Sequence, residues 1–314
     1  MELSIICPTL NEREYINQVV EDLCISDGIK KEVLIVDGGS TDGTRERVGE
    51  LMKSYPMLRL IDNPRRTSTA AFNIGVAASS AEHAAFVGAH ARYSSNYFSY
   101  GISRLKSGEC DVVGGILRQE GKNPTGRAIA AVMSSSAGVG NTAFRTSRQE
   151  QYVDSVAFAI YSRQVLNSVG PMDETLPVNQ DDEFHYRIHA SGFRLLMTDK
   201  TFAVYYVRSS YRSLFKQYFR YGKYKPAVIR KVKGSIKPRH LVPAFFVMYL
   251  FTLPLSFVFT LWLIPLLAYL CLIVLYAIRL SRGKFSMACR CVPVFPTLHL
   301  AYGSGFILGL FRPC

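Results

Sequence analysis

The chain has 314 residues, with 37 Lys and Arg against 24 Asp and Glu and a net charge of +13. At roughly 100–200 residues per domain this suits one large domain plus an appendage. No Asp or Glu follows Asp199, so the cationic excess belongs to the tail from Thr201 onward. Those cations flank long apolar runs, which nucleic-acid-binding arms lack; the balance argues against a nucleic-acid partner and for an anionic lipid surface.

Leu3 to Cys7 reads as a buried strand, after which Ile16, Val19, Val20 and Leu23 fall at helical spacing. Val33 to Val36 is the second strand, Val48, Leu51, Met52 and Tyr55 the next helical face, and Leu58 to Ile61 a third strand. Met1 to Pro8 leads straight into the first strand without a basic n-region or cleavage site, so the front domain is expected to stay in the cytoplasm. Alternation of this kind predicts an α/β domain with a mainly parallel sheet covered by helices. In such sheets ligands bind beyond the carboxyl ends of the strands, and the residues there are polar.

Strand one is followed by Pro8-Thr9-Leu10-Asn11-Glu12 and strand two by Asp37-Gly38-Gly39-Ser40-Thr41-Asp42-Gly43-Thr44. Neither is a Walker loop or a G-x-G-x-x-G turn, which counts against an ATPase or a dinucleotide oxidoreductase. A turn with a helix cap at Thr41 or Asp42 accounts for part of the second loop. It leaves the matching cluster after strand one unexplained.

Together these loops resemble the opening of family 2 glycosyltransferases of the GT-A fold, a strand, P-x-x-N-E, a second strand and D-x-G-S-x-D-G-T. Pro8, Asn11, Glu12, Asp37, Gly39, Ser40, Asp42, Gly43 and Thr44 match, and Gly38 stands where many members carry a second Asp. The resemblance implies a nucleotide site at Pro8, Thr9, Glu12, Asp37 and Ser40, with Asp37 accepting from the base. The next stretch, Asn63-Pro64-Arg65-Arg66 to Gly75, resembles the family's segment ahead of its metal motif. Arg65 or Arg66 there is a candidate cation for the diphosphate, since guanidinium pairs well with phosphate oxygens, or else a solvated surface charge.

Phe86 to Tyr93 sits where the family places D-x-D, whose carboxylates hold a divalent cation against the diphosphate. Gly88 replaces the first Asp and His90 the second, with Ala89 between them at the nucleotide. The succinoglycan, exopolysaccharide-synthesis type is similar in placing D-A-H-A here, so His90 fits and Gly88 departs. His90 is the candidate ligand for Mn²⁺ or Mg²⁺, with Mn²⁺ the better match for imidazole. On that reading Gly88→Asp tightens metal binding.

Asn179 to Arg187 resembles the family's E-D-x-x-x-x-x-R helix start, with Gln180 at the Glu and Asp181 at the Asp. Inversion needs a base for the acceptor hydroxyl, which makes Asp181 the candidate and Asp182 its alternative. An acidic first turn favoured by the helix dipole explains the charges but not Arg187. Asp154 falls at a family position and reads as a structural turn. Gln217, Arg220 and Tyr221 resemble the family's Q-x-x-R-W element, implying an aromatic platform and a cation for the acceptor and diphosphate, or equally a basic amphipathic anchor.

Leu241 to Ile278 contains no charged residue, interrupted by Pro254 and Pro265 with the lone Trp262 near its centre. At about 20 residues per crossing it suits two spans or a re-entrant hairpin, and Val294 to Phe311 a third span or an interfacial helix. Cys7, Cys24, Cys110, Cys271, Cys289, Cys291 and Cys314 form no C-x-x-C pair and carry no assigned chemistry.

The organisation expected is a GT-A catalytic domain over 1–207, a basic interfacial segment over 208–240 and a hydrophobic membrane region over 241–314. The function expected is inverting transfer of a hexose from a UDP-sugar to a polyprenyl-diphosphate-linked glycan at the inner membrane. A processive polysaccharide synthase and a catalytically impaired nucleotide-binding partner are the alternatives.

Overall fold

The computed structural model describes residues 1–25 and 27–311, so Arg312 and Cys314 lie outside the described residues. Two compact units divide the chain, one of 1–118 with 147–205 and one of 119–146 with 206–314.

The first unit opens with β1 (Leu3–Thr9), α1 (Ile16–Cys24), β2 (Lys31–Asp37), α2 (Thr44–Leu51), β3 (Leu58–Asp62), α3 (Ser68–Ala78) and β4 (His83–Phe86). β1 and β2 are buried almost throughout, which is why they read as continuous apolar runs, while α1 turns Ile16, Val19, Val20 and Leu23 inward. α2 stops at Leu51, one turn short of the expected face, and Met52 is exposed. β5 (Ala91–Tyr93), α4 (Tyr97–Lys106) and β6 (Val112–Glu120) follow.

α5 (Pro124–Met133), α6 (Ser136–Val139) and α7 (Ala143–Thr146) belong to the second unit. The chain re-enters the first with β7 (Gln151–Tyr152), β8 (Ile160–Ser162), α8 (Arg163–Val169), α9 (Gln180–Ala190) and β9 (Leu195–Tyr206). The sheet order is β3-β2-β1-β4-β8-β6-β9-β5, with β7 on β9. It is mixed: β3, β2, β1 and β4 are parallel, and β8 joins antiparallel to both β4 and β6. The carboxyl ends of the four parallel strands thus form one edge.

The rest of the second unit is helical, with α10 (Tyr211–Lys231), α11 (Pro238–Phe251), 3-10 turns Leu253–Phe257 and Thr260–Leu263, α12 (Ile264–Ser281), α13 (Phe285–Cys291) and α14 (Val294–Leu310). Two segments, Thr260–Ser281 and Phe285–Leu310, are long and apolar enough to cross a membrane. Asn123 caps α5 through its side chain, and Pro265 enters at the start of α12, where a missing N–H costs nothing.

Candidate active site

The loops after β1 and β2 are polar because they are stitched to each other. Asn11 sits at φ 57, a left-handed conformation that Asn tolerates, and its backbone N–H donates to Ser40 Oγ at 2.8 Å. Its side-chain oxygen accepts from the Thr41 N–H at 2.9 Å. The Glu12 N–H donates to Thr44 Oγ1 at 2.9 Å and the Arg13 N–H to Asp42 at 3.0 Å. Asp42 also accepts from the Thr44 N–H at 3.1 Å, but the N-cap position of α2 is Gly43, at φ 90 and without a side-chain cap, rather than the expected Thr41 or Asp42. Asn11, Asp42 and Thr44 are thereby committed to holding the two loops together.

Asp37, fully buried at the end of β2, organises this edge. It accepts from the Gly39 and Ser40 N–H groups at 3.0 and 2.9 Å, from Ser40 Oγ at 2.5 Å and from Thr9 Oγ1 at 3.2 Å. Arg45 adds an ion pair at 3.0 Å and reaches Asp62 at 2.7 Å. Burial pushes the carboxyl up, but the bonds from Ser40, Arg45 and Gly39 outweigh it and hold the group below the usual carboxylate range. Five donors fill the lone-pair directions of one carboxylate, so a base N–H reaches Asp37 only by displacing one of them.

Arg45 is a residue that sequence reasoning missed. Its signal was a cation in the first turn of a helix, where the dipole disfavours it. Asp37 and Asp62 supply the compensation.

The two candidate cations after β3 are both engaged. Arg66, at φ 59, folds back so that Nε donates to the Gly38 carbonyl at 2.8 Å and Nη2 to that of Gly39 at 3.3 Å. Arg65 pairs with Glu174 at 2.7 Å, and Asn73 holds the same Glu174 at 2.8 Å.

His90 pairs with Glu12 at 2.8 Å and packs edge-on against Tyr15, ring centroids 4.9 Å apart. The other Glu12 oxygen is buried without a hydrogen-bond partner. No group of three or more His, Cys, Asp or Glu side chains is placed to hold a metal among the described residues. Ala89 is buried beside His90. At Gly88 an added Cβ would lie 2.9 Å from the ring of Phe158, itself at φ 51, so the aromatic ring fills the space a side chain would need.

α9 begins from Asn179 at φ 61, and its first turn carries Asp181, Asp182 and Glu183 where the dipole favours anions. Asp181 is exposed and Asp182 half-buried, whereas Glu183 turns inward to a two-pronged pair with Arg187 at 2.6 and 3.0 Å. Arg187 also donates to the Val169 and Pro171 carbonyls at 2.8 and 2.9 Å, so it ties α9 to the end of α8. That structural task accounts for the arginine of the motif.

On the buried face of α9, His185 shares hydrogen bonds with Ser155 Oγ and Tyr161 Oη, each at 2.9 Å. Burial lowers its pKa from 6.5 to about 4, so the ring is neutral. Asp154 precedes Ser155 in this loop. Phe72, Tyr161 and Phe184 complete the seat, Tyr161 and Phe184 with centroids 5.5 Å apart.

Burial pushes the Cys7 thiol up to about 12 and those of Cys24 and Cys110 to about 11, which leaves all three without thiolate character. In the second unit Gln217 donates to Tyr221 Oη at 2.9 Å, one turn apart on α10, with Arg220 exposed beside them.

Polar loops closing over the carboxyl ends of four parallel strands, with carboxylates at the head of a helix beyond, are the arrangement of a GT-A sugar-nucleotide transferase. The chain belongs to glycosyl transferase family 2, whose sequence model matches residues 4–170, and it is a glycosyltransferase. It is 29% identical over 306 residues to the succinoglycan biosynthesis protein ExoA of Rhizobium meliloti, covering 96% of this chain and 93% of that one. It is 28% identical over 326 residues to a dolichyl N-acetyl-α-D-glucosaminyl phosphate 3-β-D-2,3-diacetamido-2,3-dideoxy-β-D-glucuronosyltransferase of Methanococcus voltae, covering 99% and 97%. Its fold is similar to that of a mannosyltransferase of Pyrobaculum calidifontis solved with GDP-Man and Mn²⁺, at TM-score 0.65 and 18% identity over 99% of this chain and 87% of that one. It is also similar to residues 1–349 of S. aureus TarS solved with UDP, at TM-score 0.51 and 17% identity over 97% and 92%.

Proposed function

We propose that the chain transfers one hexose, with inversion, from a UDP-sugar to a polyprenyl-diphosphate-linked glycan in exopolysaccharide or other cell-surface polysaccharide synthesis, on the cytoplasmic face of the inner membrane. The observation that carries this reading is Asp181, an exposed carboxylate on a helix locked by the Glu183–Arg187 pair in the same unit as the stitched loops. Asp181 takes the acceptor hydroxyl proton as that oxygen attacks the anomeric carbon, and UDP leaves from the opposite face. Pro8, Thr9, Glu12, Asp37, Ser40, Arg66 and Ala89 form the nucleotide side. Asp37 serves there chiefly by fixing the loop, with Arg66 exchanging a backbone carbonyl for phosphate oxygen. Gln217, Arg220 and Tyr221 serve the acceptor diphosphate.

The two relatives named above support a glycan or lipid-phosphate acceptor, one by its part in succinoglycan biosynthesis and the other by the dolichyl N-acetyl-α-D-glucosaminyl phosphate in its name. His90 and the orphaned Glu12 oxygen are the residues that would hold a divalent cation. Such an ion supplies Lewis-acid neutralisation of the leaving group, with Mn²⁺ preferred over Mg²⁺.

The test is incubation of the lipid-reconstituted protein with radiolabelled UDP-hexoses and lipid-linked acceptors. A lipid product longer by one residue is expected; a ladder of products would mean processive synthesis, and no transfer from any common sugar nucleotide would sink the reading. For the metal, transfer after chelation returns with added Mn²⁺ in the native chain and not in His90→Ala. Full activity in EDTA, with His90→Ala unaffected, would assign the leaving group to arginine instead. A second reading, a partner that binds nucleotide without turnover, draws on Phe158 occupying the place of the missing carboxylate. UDP binding by calorimetry with no transfer under any cation would favour it.

A further inference from the structure

We infer that the chain is held to the membrane from one side only, by a re-entrant hairpin of α11 and α12 whose tip ends inside the hydrocarbon of an anionic bilayer, and that α14 does not cross. The inference rests on the membrane attachment proposed above and adds its geometry.

α11 and α12 are the legs of a hairpin. Phe246 packs on Tyr269 with ring centroids 4.4 Å apart, and Tyr249 Oη donates to the Trp262 carbonyl at 2.7 Å. The two 3-10 turns between them make the tip, where Phe251, Phe257, Phe259 and Leu261 are 81, 92, 66 and 77% exposed. A tip emerging into water on the far side would set a contiguous apolar patch in solvent.

The Trp262 indole and the Thr252 hydroxyl at the tip are satisfied internally, which lowers the cost of a turn in hydrocarbon. Trp262 Nε1 donates to Thr252 Oγ1 at 2.9 Å, which donates in turn to the Tyr249 carbonyl at 2.7 Å.

Length decides between re-entry and crossing. α11 has 14 residues, about 21 Å at about 1.5 Å per residue, against a hydrocarbon core of about 30 Å. Thr260–Ser281 alone is long enough to cross, but the hairpin is limited by this shorter leg, so the tip turns back before the far headgroups. Both feet carry cations, Lys237 and Arg239 before the hairpin and Arg279, Arg282 and Lys284 after it, so both stand at one anionic surface. Between them, Leu241 to Ile278 has no charge to resist insertion.

α14 passes the same test of length and apolarity but is spent inside the protein. In Phe285–Leu310, 44% of the apolar window is buried, against 11% in Thr260–Ser281. Gly222 of α10 lies against the Tyr302 carbonyl, while Gly305 and Gly309 lie against the carbonyls of Phe219 and Lys223 with no room for a Cβ. α10 is therefore clamped along α14, and it carries Arg212, Lys216, Arg220 and Lys223 along one side at helical spacing. If α14 crossed, that row of cations would enter the bilayer with it, which is strongly unfavourable. α14 is the core helix of a surface-lying pair.

Trp262 is the chain's single tryptophan, so its fluorescence reports the tip. The full-length protein is reconstituted in phosphatidylglycerol vesicles with bromines at stepped depths along the acyl chains, and a C-terminal epitope is probed by external protease. Expected are a blue-shifted Trp262 emission quenched most by acyl-chain bromines and untouched by iodide in either compartment, with the epitope digested on the side where the catalytic domain is digested. Quenching by iodide opposite the catalytic domain would overturn the re-entrant tip, and an epitope protected while the catalytic domain is digested would overturn the placing of α14. Quenching by iodide on the catalytic side with no bromine effect means no insertion, and would remove the membrane attachment itself.

Discussion

Asp181 and its neighbours divide their labour by where they point. Asp181 is exposed in the first turn of α9, while Glu183 turns inward and pairs with Arg187 to fix the helix. Asp181→Asn is expected to lower transfer by roughly 10²–10⁴-fold, the usual cost of a lost general base. UDP-sugar affinity, measured by calorimetry, should stay within a small factor because the amide keeps the shape; loss of donor binding would move Asp181 to the nucleotide side. At Gly88 the structure changes the forecast. A carboxylate restored there meets the Phe158 ring at the Cβ itself, so Gly88→Asp alone is expected to destabilise by about 1–3 kcal/mol through overpacking. Thermal unfolding checks this, with Gly88→Asp/Phe158→Ala as the variant that makes room for the new side chain.

His185 gives a pH dependence whose sign is fixed by its environment. The folded ring, with its pKa lowered from 6.5 to about 4, refuses a proton that the unfolded chain accepts. Between those values the unfolded state binds more protons, so stability falls as pH drops from 6.5 toward 4. At about 1.4 kcal/mol per unit, the full window is worth on the order of 3 kcal/mol. Asp37 acts lower, because its depressed pKa gives stability that is present above the ordinary carboxylate range and is lost only on further acidification. Replacing His185 with Gln, which keeps polar partners for Ser155 and Tyr161, should flatten the melting-temperature profile across the His185 window and leave the more acidic limb in place.

At the level of elements, glycines separate helix positions that packing has closed from those it has left open. Gly222 on α10 faces the Tyr302 carbonyl, and Gly222→Leu is expected to force α10 off α14 at a cost of at least about 1–3 kcal/mol. Gly49, inside α2, has nothing within 4 Å of an added Cβ. Gly49→Ala should therefore stabilise the protein by about 0.5–1 kcal/mol, since alanine loses less backbone freedom on entering a helix. Both are read from thermal melts in the same detergent. Sequence periodicity located α2, and α10 falls in the expected basic interfacial segment, but nothing in either distinguished these two glycines; the difference is the neighbouring backbone that each one meets.

For the whole molecule, the separation of acidic front and cationic tail gives attachment two physical components. Binding to vesicles should strengthen with anionic lipid and weaken with salt, because the foot and α10 cations are screened over about 8–10 Å at physiological ionic strength. Salt should not release the chain completely, since the uncharged hairpin between Leu241 and Ile278 is indifferent to screening. Flotation across a salt series measures both, and complete release at high salt would mean that the apolar segment stays out of the bilayer.

What the sequence determined by itself was local and periodic. The burial of β1 and β2, the apolar face of α1, the loop chemistry after each strand and the segregation of charge are all written in neighbouring residues, and they sufficed for the fold and the family. Only the tertiary structure decided what those residues are free to do. Asn11, Asp42 and Thr44 matched the family's motif without an assigned task, and the fold uses them as loop stitches to partners about thirty residues away. Arg187 had no local explanation and is a tie to α8, Arg45 was invisible until Asp37 and Asp62 came to it, and Gly88 is small because Phe158, just ahead of the neighbouring strand β8, fills the space beside it. α12 and α14 both lie in segments apolar enough to cross a membrane, and packing separates them: α14 spends its apolar surface on α10, while α12 keeps most of its own exposed. Composition sets how much apolar or charged surface a segment owns; folding sets which other segment, if any, covers it.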